Sequence, residues 1–421
     1  MRIGVPHFSH STSEHEPDLF AAPAAGAKLA APPPADDAEE PLFSGGPPAQ
    51  IQALLGLARP GRPGVRRRVI IAVCVGWLPL VGLAAVQDGS LHDGSLAAVL
   101  DDYGLHARSL LAVPLLVAVE PACLAWLSLI GLYIRNTGLV GPFDAPAFGR
   151  ILRSTRKLQH AGRAEIAVAT LTFTLIVTLL FALPASVLPP WHWMMTDGRR
   201  VISPIGWWHD FISVPILMII LVGWLWRLFV WTRFLFLVAR LPLRIVPAHP
   251  DGAGGLKFIG MSVQAFAPVA FAVGVIAAGT VANRVMHDNA MLFSFKFVLA
   301  GLVVILMGLF VSPLFVFVVP LIRAWRRGTF EYGALARGLG LQMERRWLGR
   351  GVDAEALAAP DFSSTTDLYS IVGNAYAMNV VPVGLKNLAV LLAAILIPFL
   401  PVVLMAVSPE VLFQDLAKLL L

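Results

Sequence analysis

The chain has 421 residues, of which 57% are hydrophobic and only 14% charged, with a net charge of +6. So few polar side chains cannot clothe one soluble domain of this size, which excludes a water-soluble globular enzyme. The apolar residues also fall in continuous runs, long enough for a ~30 Å hydrocarbon layer that takes ~20 helical residues. Such runs exclude the alternating strands of an outer-membrane barrel.

Residues 1–65 open without a basic stretch leading into an apolar core, so no cleavable signal peptide is expected. Ala31-Pro32-Pro33-Pro34 and Pro47-Pro48 lie beside Asp36, Asp37, Glu39 and Glu40, and such a composition predicts a disordered tail. Seven spans follow, at about 69–87, 107–134, 166–188, 210–232, 262–283, 291–322 and 387–408. The predicted fold is thus an all-α membrane protein, a helical bundle of about seven transmembrane spans. Its parts are a tail (1–65), spans one to six (66–322), a helical insertion (323–385) and the last span with a short tail (386–421).

The basic residues set the orientation, because Lys and Arg are retained on the cytoplasmic side. Arg59, Arg62 and Arg66-Arg67-Arg68 precede span one, whereas the next loop carries Asp88, Asp93, Asp101 and Asp102. The loops after spans two and four are basic again, as is the insertion, with Arg323, Arg326, Arg327, Arg337, Arg345, Arg346, Arg350 and Lys386. Across the other loops stand only Arg199, Arg200, Arg284 and Lys418. A cytoplasmic N-terminus follows, and the positive charge reads as contact with the lipid bilayer rather than with nucleic acid. Arginine, alanine, glycine and proline abound, which suits a GC-rich bacterial coding bias and, with the spans, a bacterial inner-membrane location. Cys74 and Cys123 both lie in spans, so neither a disulfide framework nor a zinc site is expected.

Inside the spans, Glu120 is the leading candidate. A carboxylate there costs several kcal/mol unless protonated, paired or hydrated, and Pro121 with Pro114 predicts a kinked helix. Lys296 is a conceivable partner, although its place near a span end suits snorkelling. Arg227, among Trp224, Trp226 and Trp231, reads as an interfacial anchor. Thr170, Thr174 and Thr178 share one face of span three and offer a polar path, against back-bonding to their own helix. Ala270, Gly274, Ala278 and Ala282 make a small-residue face in span five, suited to close packing within the bundle or to a homo-oligomer. His192, His209 and Asp210 share one outer loop, His287 and Asp288 the next, and chance proximity is the expectation. No internal repeat is visible.

Two cytoplasmic stretches are patterned. In the loop His249-Pro250-Asp251-Gly252-Ala253-Gly254-Gly255, followed by Lys257, glycine backbone N–H groups offer a nest for an anion, against a tight turn into span five. Further on, Ser364-Thr365-Thr366-Asp367 fits a capping box, and Leu368, Ile371, Val372, Ala375 and Met378 recur at helical spacing. An amphipathic helix over 365–379 is predicted under the bundle, with Asp367 and Asn374 on its polar face.

His249-Pro250-Asp251 leading into Gly254-Gly255-Leu256, with Thr366-Asp367-Leu368, Asn374-Ala375-Tyr376 and Val381-Pro382 later, resembles a family of uncharacterised bacterial multi-pass inner-membrane proteins. The resemblance implies location and no substrate. The chain carries neither a Gly-x-Ser-x-Gly elbow nor a His-Glu-x-x-His helix, so an enzyme is not expected, nor any cofactor. Transport of an ion or small solute is the leading expectation; a scaffold or signalling subunit binding a cytoplasmic protein through the 249–257 loop and the 365–379 helix is the alternative.

Overall fold

The computed structural model describes residues 42–43, 45–46, 64–159, 161–182, 188–196, 198–288, 290–347 and 360–406. The main helices, in chain order, are Val65–Leu91 (α1), Tyr103–Asn136 (α2), Gly162–Ala182 (α3), Pro204–Ala239 (α4), Lys257–His287 (α5), Leu292–Arg345 (α6), Pro360–Tyr376 (α7) and Leu385–Ala406 (α8). Six of them, all but α3 and α7, are long and apolar enough to cross a membrane, which is the make-up of a multi-pass membrane protein. The predicted third span is α3, whose apolar stretch, Glu165–Thr178, is shorter than those six. Among the described residues the only sheet is a hairpin, Trp193–Thr196 (β1) paired antiparallel with Arg199–Ile202 (β2).

Proline breaks in the helices are repaired by neighbours, as a chain in hydrocarbon requires. In α1, Pro79 has no N–H for the Val75 carbonyl, and Trp208 Nε1 of α4 donates to it at 3.0 Å. The Gly76 carbonyl beside it accepts from the Ser213 hydroxyl. In α2 the helix is interrupted at Val119, before Pro121, and Trp224 Nε1 donates to the Leu116 carbonyl at 3.2 Å.

α5 is the enclosed helix. Its small-residue stripe, Ala270, Gly274, Ala278 and Ala282, is buried against α8 within the same chain. At Gly274 a Cβ would sit 2.8 Å from the Ile395 carbonyl oxygen, so only glycine lets the two backbones approach this closely. Leu42 and Phe43, inside the predicted disordered tail, are buried: Phe43 packs edge-on to Trp231 and Phe234, and its N–H donates to Ser128 Oγ at 2.9 Å. Two large apolar side chains following Glu40-Pro41 find a site between α2 and α4 that repays their ordering. Apart from Gly45 and Gly46, the remaining residues up to 63 lie outside the described ones.

The stretch of the predicted insertion is helical over most of its described length. α6 runs unbroken past 323, and α7 folds back along it, with Trp325 Nε1 donating to the Tyr376 carbonyl at 3.4 Å. Among the described residues α7 begins at Pro360, ahead of the expected capping box, which therefore lies more than a turn inside the helix. Val372, Ala375 and Met378 are buried as the spacing suggests, whereas Ile371 is exposed.

Gly274→Ala should lower stability by about 1–3 kcal/mol, the cost of overpacking, whereas Gly308→Ala, at an α6 position with open space around it, should raise it by up to about 1 kcal/mol, the helical preference of alanine over glycine. Thermal unfolding of the two variants in detergent checks the difference.

Candidate functional site

Glu120 is paired on both sides. One carboxylate oxygen accepts from Arg68 of α1, the other from Arg227 of α4, and all three residues are less than a tenth exposed. Arg68 is one of the three consecutive arginines expected to lie outside span one. α1 starts at Val65, so Arg68 falls in its first turn and turns inward while Arg66 and Arg67 stay exposed. Arg227 is no interfacial anchor, because its charge is needed by the carboxylate of the facing helix. Its guanidinium also lies 5.4 Å from the Trp224 ring centroid, a cation–π contact. The triad carries one excess positive charge, and the Nε atoms of both arginines are buried without a partner among the described residues.

This centre is enclosed above and below. Toward the start of α2 and α4 lie Leu116, Val113 and Leu217, all buried; toward their ends lie Leu42, Phe43, Trp231 and Phe234.

A second polar centre occupies the starting end of the same two helices. Asp102 caps α2, accepting from the Leu105 N–H at 2.7 Å, and also accepts from Trp191 Nε1 at 3.0 Å and Asn283 Nδ2 at 2.8 Å. Asp210 is held by two imidazoles, His192 Nε2 at 2.8 Å and His209 Nδ1 at 2.9 Å, with all three residues buried. An ionised Asp210 only accepts, so each histidine keeps its proton on the nitrogen that faces it. Arg108 lies in the field of both Asp102 and Asp210. His192, His209 and Asp210 thus form a built cluster rather than a chance neighbourhood. No group of three or more metal-ligating residues with suitable geometry occurs among the described residues.

Both helices are built alike here. Pro114 stands twelve residues after the cap Asp102, and Pro215 twelve after the cap Ser203; each is preceded by a π-helical stretch, Ala107–Ala112 and His209–Ser213. Wider turns ahead of a proline relieve its clash with the preceding carbonyl, and such turns recur at functional sites. Between them is a cavity of about 20 Å³ lined by Arg108, Ser109, His209 and Ser213, enough for one water-sized guest with several polar partners.

The other candidates lie apart. Lys296 does not reach Glu120; its Nζ lies 4.0 Å from the Phe293 ring centroid and 5.1 Å from that of Phe297. Thr170, Thr174 and Thr178 are exposed, with Thr178 Oγ1 donating to the Thr174 carbonyl at 2.8 Å, so they line no interior path; the buried face of α3 is Val168, Thr172 and Ile176.

The anion nest of the 249–255 loop is filled by its own Asp251. The carboxylate accepts from the N–H groups of Ala253 (2.8 Å), Gly255 (3.0 Å) and Lys257 (3.0 Å), and His249 Nδ1 lies 2.9 Å away. Gly254 and Gly255 take φ of +65° and +90°, which the turn requires. Burial raises the Asp251 pKa, but these donors outweigh it and hold the pKa below the ordinary carboxylate value. The loop packs on the segment after α7, where the Asn379 N–H donates to the Gly252 carbonyl at 2.7 Å. Asp367 is exposed and Asn374 half-buried, and neither joins the loop.

Two stability tests follow. Glu120→Gln should cost about 3–5 kcal/mol, as expected when one partner of a buried ion pair is removed, whereas Arg68→Met/Glu120→Leu/Arg227→Met should recover most of it, because no charge is left stranded; melting temperatures decide. The contribution of Asp251 is fully present above the ordinary carboxylate pKa of about 3.9 and is lost as pH falls through its lowered value. Asp251→Ala should therefore be less stable than the wild type by about 1–2 kcal/mol at neutral pH, and the gap should begin to narrow below pH ~4 and close once the pH has fallen through the lowered value.

No family model, curated protein or solved structure matches the chain.

Proposed function

We propose that the chain is a seven-span protein of the bacterial inner membrane, N-terminus in the cytoplasm, that moves a proton or small ion across the bilayer. The orientation rests on the alternation of basic and acidic loops. In the third span, α3, 21 helical residues extend ~32 Å, enough for the hydrocarbon layer. The observation that carries transport is the Glu120 centre: a carboxyl group in mid-α2 beside a proline break, buried against Arg68 from the first turn of α1 and Arg227 of α4. Ionisable groups at such depth are expensive and mark ion pathways by default.

The rest of the site supports the same reading. The second centre lies on α2 and α4 about 18 Å further out, twelve residues at 1.5 Å each from Arg108 to Glu120, and an apolar layer separates the two. Leu42 and Phe43 close the cytoplasmic side. Polar stations separated by closed layers suit an occluded carrier better than an open pore. The scaffold alternative needs the 249–257 loop and α7 free for a partner, yet the loop packs on the segment that follows α7 and α7 packs along α6.

The test is proton, potassium and chloride flux in proteoliposomes. The charge-free Arg68→Met/Glu120→Leu/Arg227→Met variant, incorporated and melting like the wild type, should lose roughly tenfold or more of its flux, equivalent to about 1.4 kcal/mol of barrier. Phe43→Ala, which opens the cytoplasmic side, should raise the leak. Equal flux in the charge-free variant and the wild type would remove the triad from the pathway, and no wild-type flux of any of these ions would overturn ion transport.

A further inference from the structure

A groove of about 750 Å³ opens between the end of α4 and the middle of α6, lined by Arg240, Arg323 and Arg327 together with apolar residues that include Leu241, Val316 and Val319. No carboxylate lines it. Arg240 is held by stacking on Phe236, its Cζ 4.2 Å from the ring centroid, which leaves the in-plane N–H groups free. Arg327 is steered by one hydrogen bond, Nη2 to the Ile245 carbonyl at 3.1 Å; its contact with Glu331 is long, at 3.9 Å, and exposed, and so is worth little. Arg323 has no ion-pair partner among the described residues.

The place of this groove decides what fits it. It sits where α4 leaves its apolar stretch, at the loop end richest in arginine, so its apolar wall faces acyl chains and its guanidiniums lie at headgroup depth. Three forks of N–H donors with no acid to satisfy them match the oxygens of a phosphodiester, and basic pockets between membrane helices bind anionic headgroups. We propose that this groove is a binding site for an anionic phospholipid of the adjacent leaflet, its phosphate held by Arg240, Arg323 and Arg327 and a chain lying along the apolar wall. The site does not depend on the transport reading.

The full chain in a neutral detergent would be titrated with phosphatidylglycerol and with phosphatidylcholine of identical chains, bound lipid being counted by native mass spectrometry. Phosphatidylglycerol should bind more tightly. Arg323→Gln, which breaks no hydrogen bond or ion pair among the described residues, should weaken that binding about fivefold, and Arg240→Gln/Arg323→Gln/Arg327→Gln about a hundredfold, with phosphatidylcholine unchanged. Equal binding of both lipids by the wild type, or an undiminished preference in the Arg323→Gln protein, would overturn the proposal. Displacement of phosphatidylglycerol by millimolar inorganic phosphate would also overturn it, by reassigning the groove to a soluble anion.

Discussion

The centre of the bundle depends on the need to neutralise Glu120. A carboxylate withdrawn from water costs several kcal/mol even after relaxation, and the attraction of one guanidinium repays this only with good geometry and further hydrogen bonds. Two arginines supply both, but from different helices, so α1, α2 and α4 must reach one register at once. This fixes details that hydrophobic packing leaves free. α1 must begin where Arg68 is in its first turn, and α4 must turn Arg227 inward past three tryptophans. In a membrane this matters more than in water, because apolar side chains gain little by choosing a helix over lipid. The polar contacts carry the specificity.

Proline gives the same region its second character. At Pro79, Pro114, Pro121 and Pro215 a backbone donor is missing, and described side chains satisfy carbonyls at two of the resulting breaks. Trp208 and Trp224, which composition alone would assign to an aromatic belt, spend their indole N–H groups on backbone oxygens of neighbouring helices, Trp224 inside the bundle and half-buried Trp208 in an exposed hydrogen bond. The π-helical stretches before Pro114 and Pro215 widen both helices at one level, and there the ionisable residues Arg108, His209 and Asp210 gather. Irregular backbone is tolerated at such depth only where protein or a small polar cavity receives it, and both conditions hold here.

How much of this was legible in the sequence varies by feature. The long apolar runs identify the six strongest helices, since length and hydropathy suffice. Glu120 stands out as the lone acid in its run. Its partners do not, because nothing local says which of Arg66, Arg67 and Arg68 turns inward. A weak signal existed: Ala72 and Gly76 follow Arg68 at i+4 and i+8, and that small-residue face is the one that packs. In α3 spacing was no help, since Thr170, Thr174 and Thr178 and the buried Val168, Thr172 and Ile176 share one period on different faces. A lipid-facing helix has no polar side to set its phase. The His192–Asp210–His209 cluster was hidden for another reason. The β1–β2 hairpin and the capped turn at Ser203 separate His192 from its partners in sequence and return the chain beside them.

The two polar centres are unbalanced in opposite senses, and this constrains any mechanism. The Glu120 triad has one positive charge in excess. By formal charge, leaving the histidines aside, Arg108 against Asp102 and Asp210 leaves one negative charge in excess. An anion arriving at the first centre, or a proton or cation at the second, would each bring its surroundings to neutrality; the reverse assignments would each deepen an imbalance in a poorly screened interior. On the transport reading, travel between them cannot be a hop along side chains, because the layer at Leu116 and Leu217 offers no polar partner over most of about 18 Å. A charge crossing it needs water or a backbone rearrangement. The places already relaxed from regular helix, the break at Val119 and the two π-helical stretches, lie at the two edges of this layer, where a small change of helical register would open it with the fewest hydrogen bonds to break.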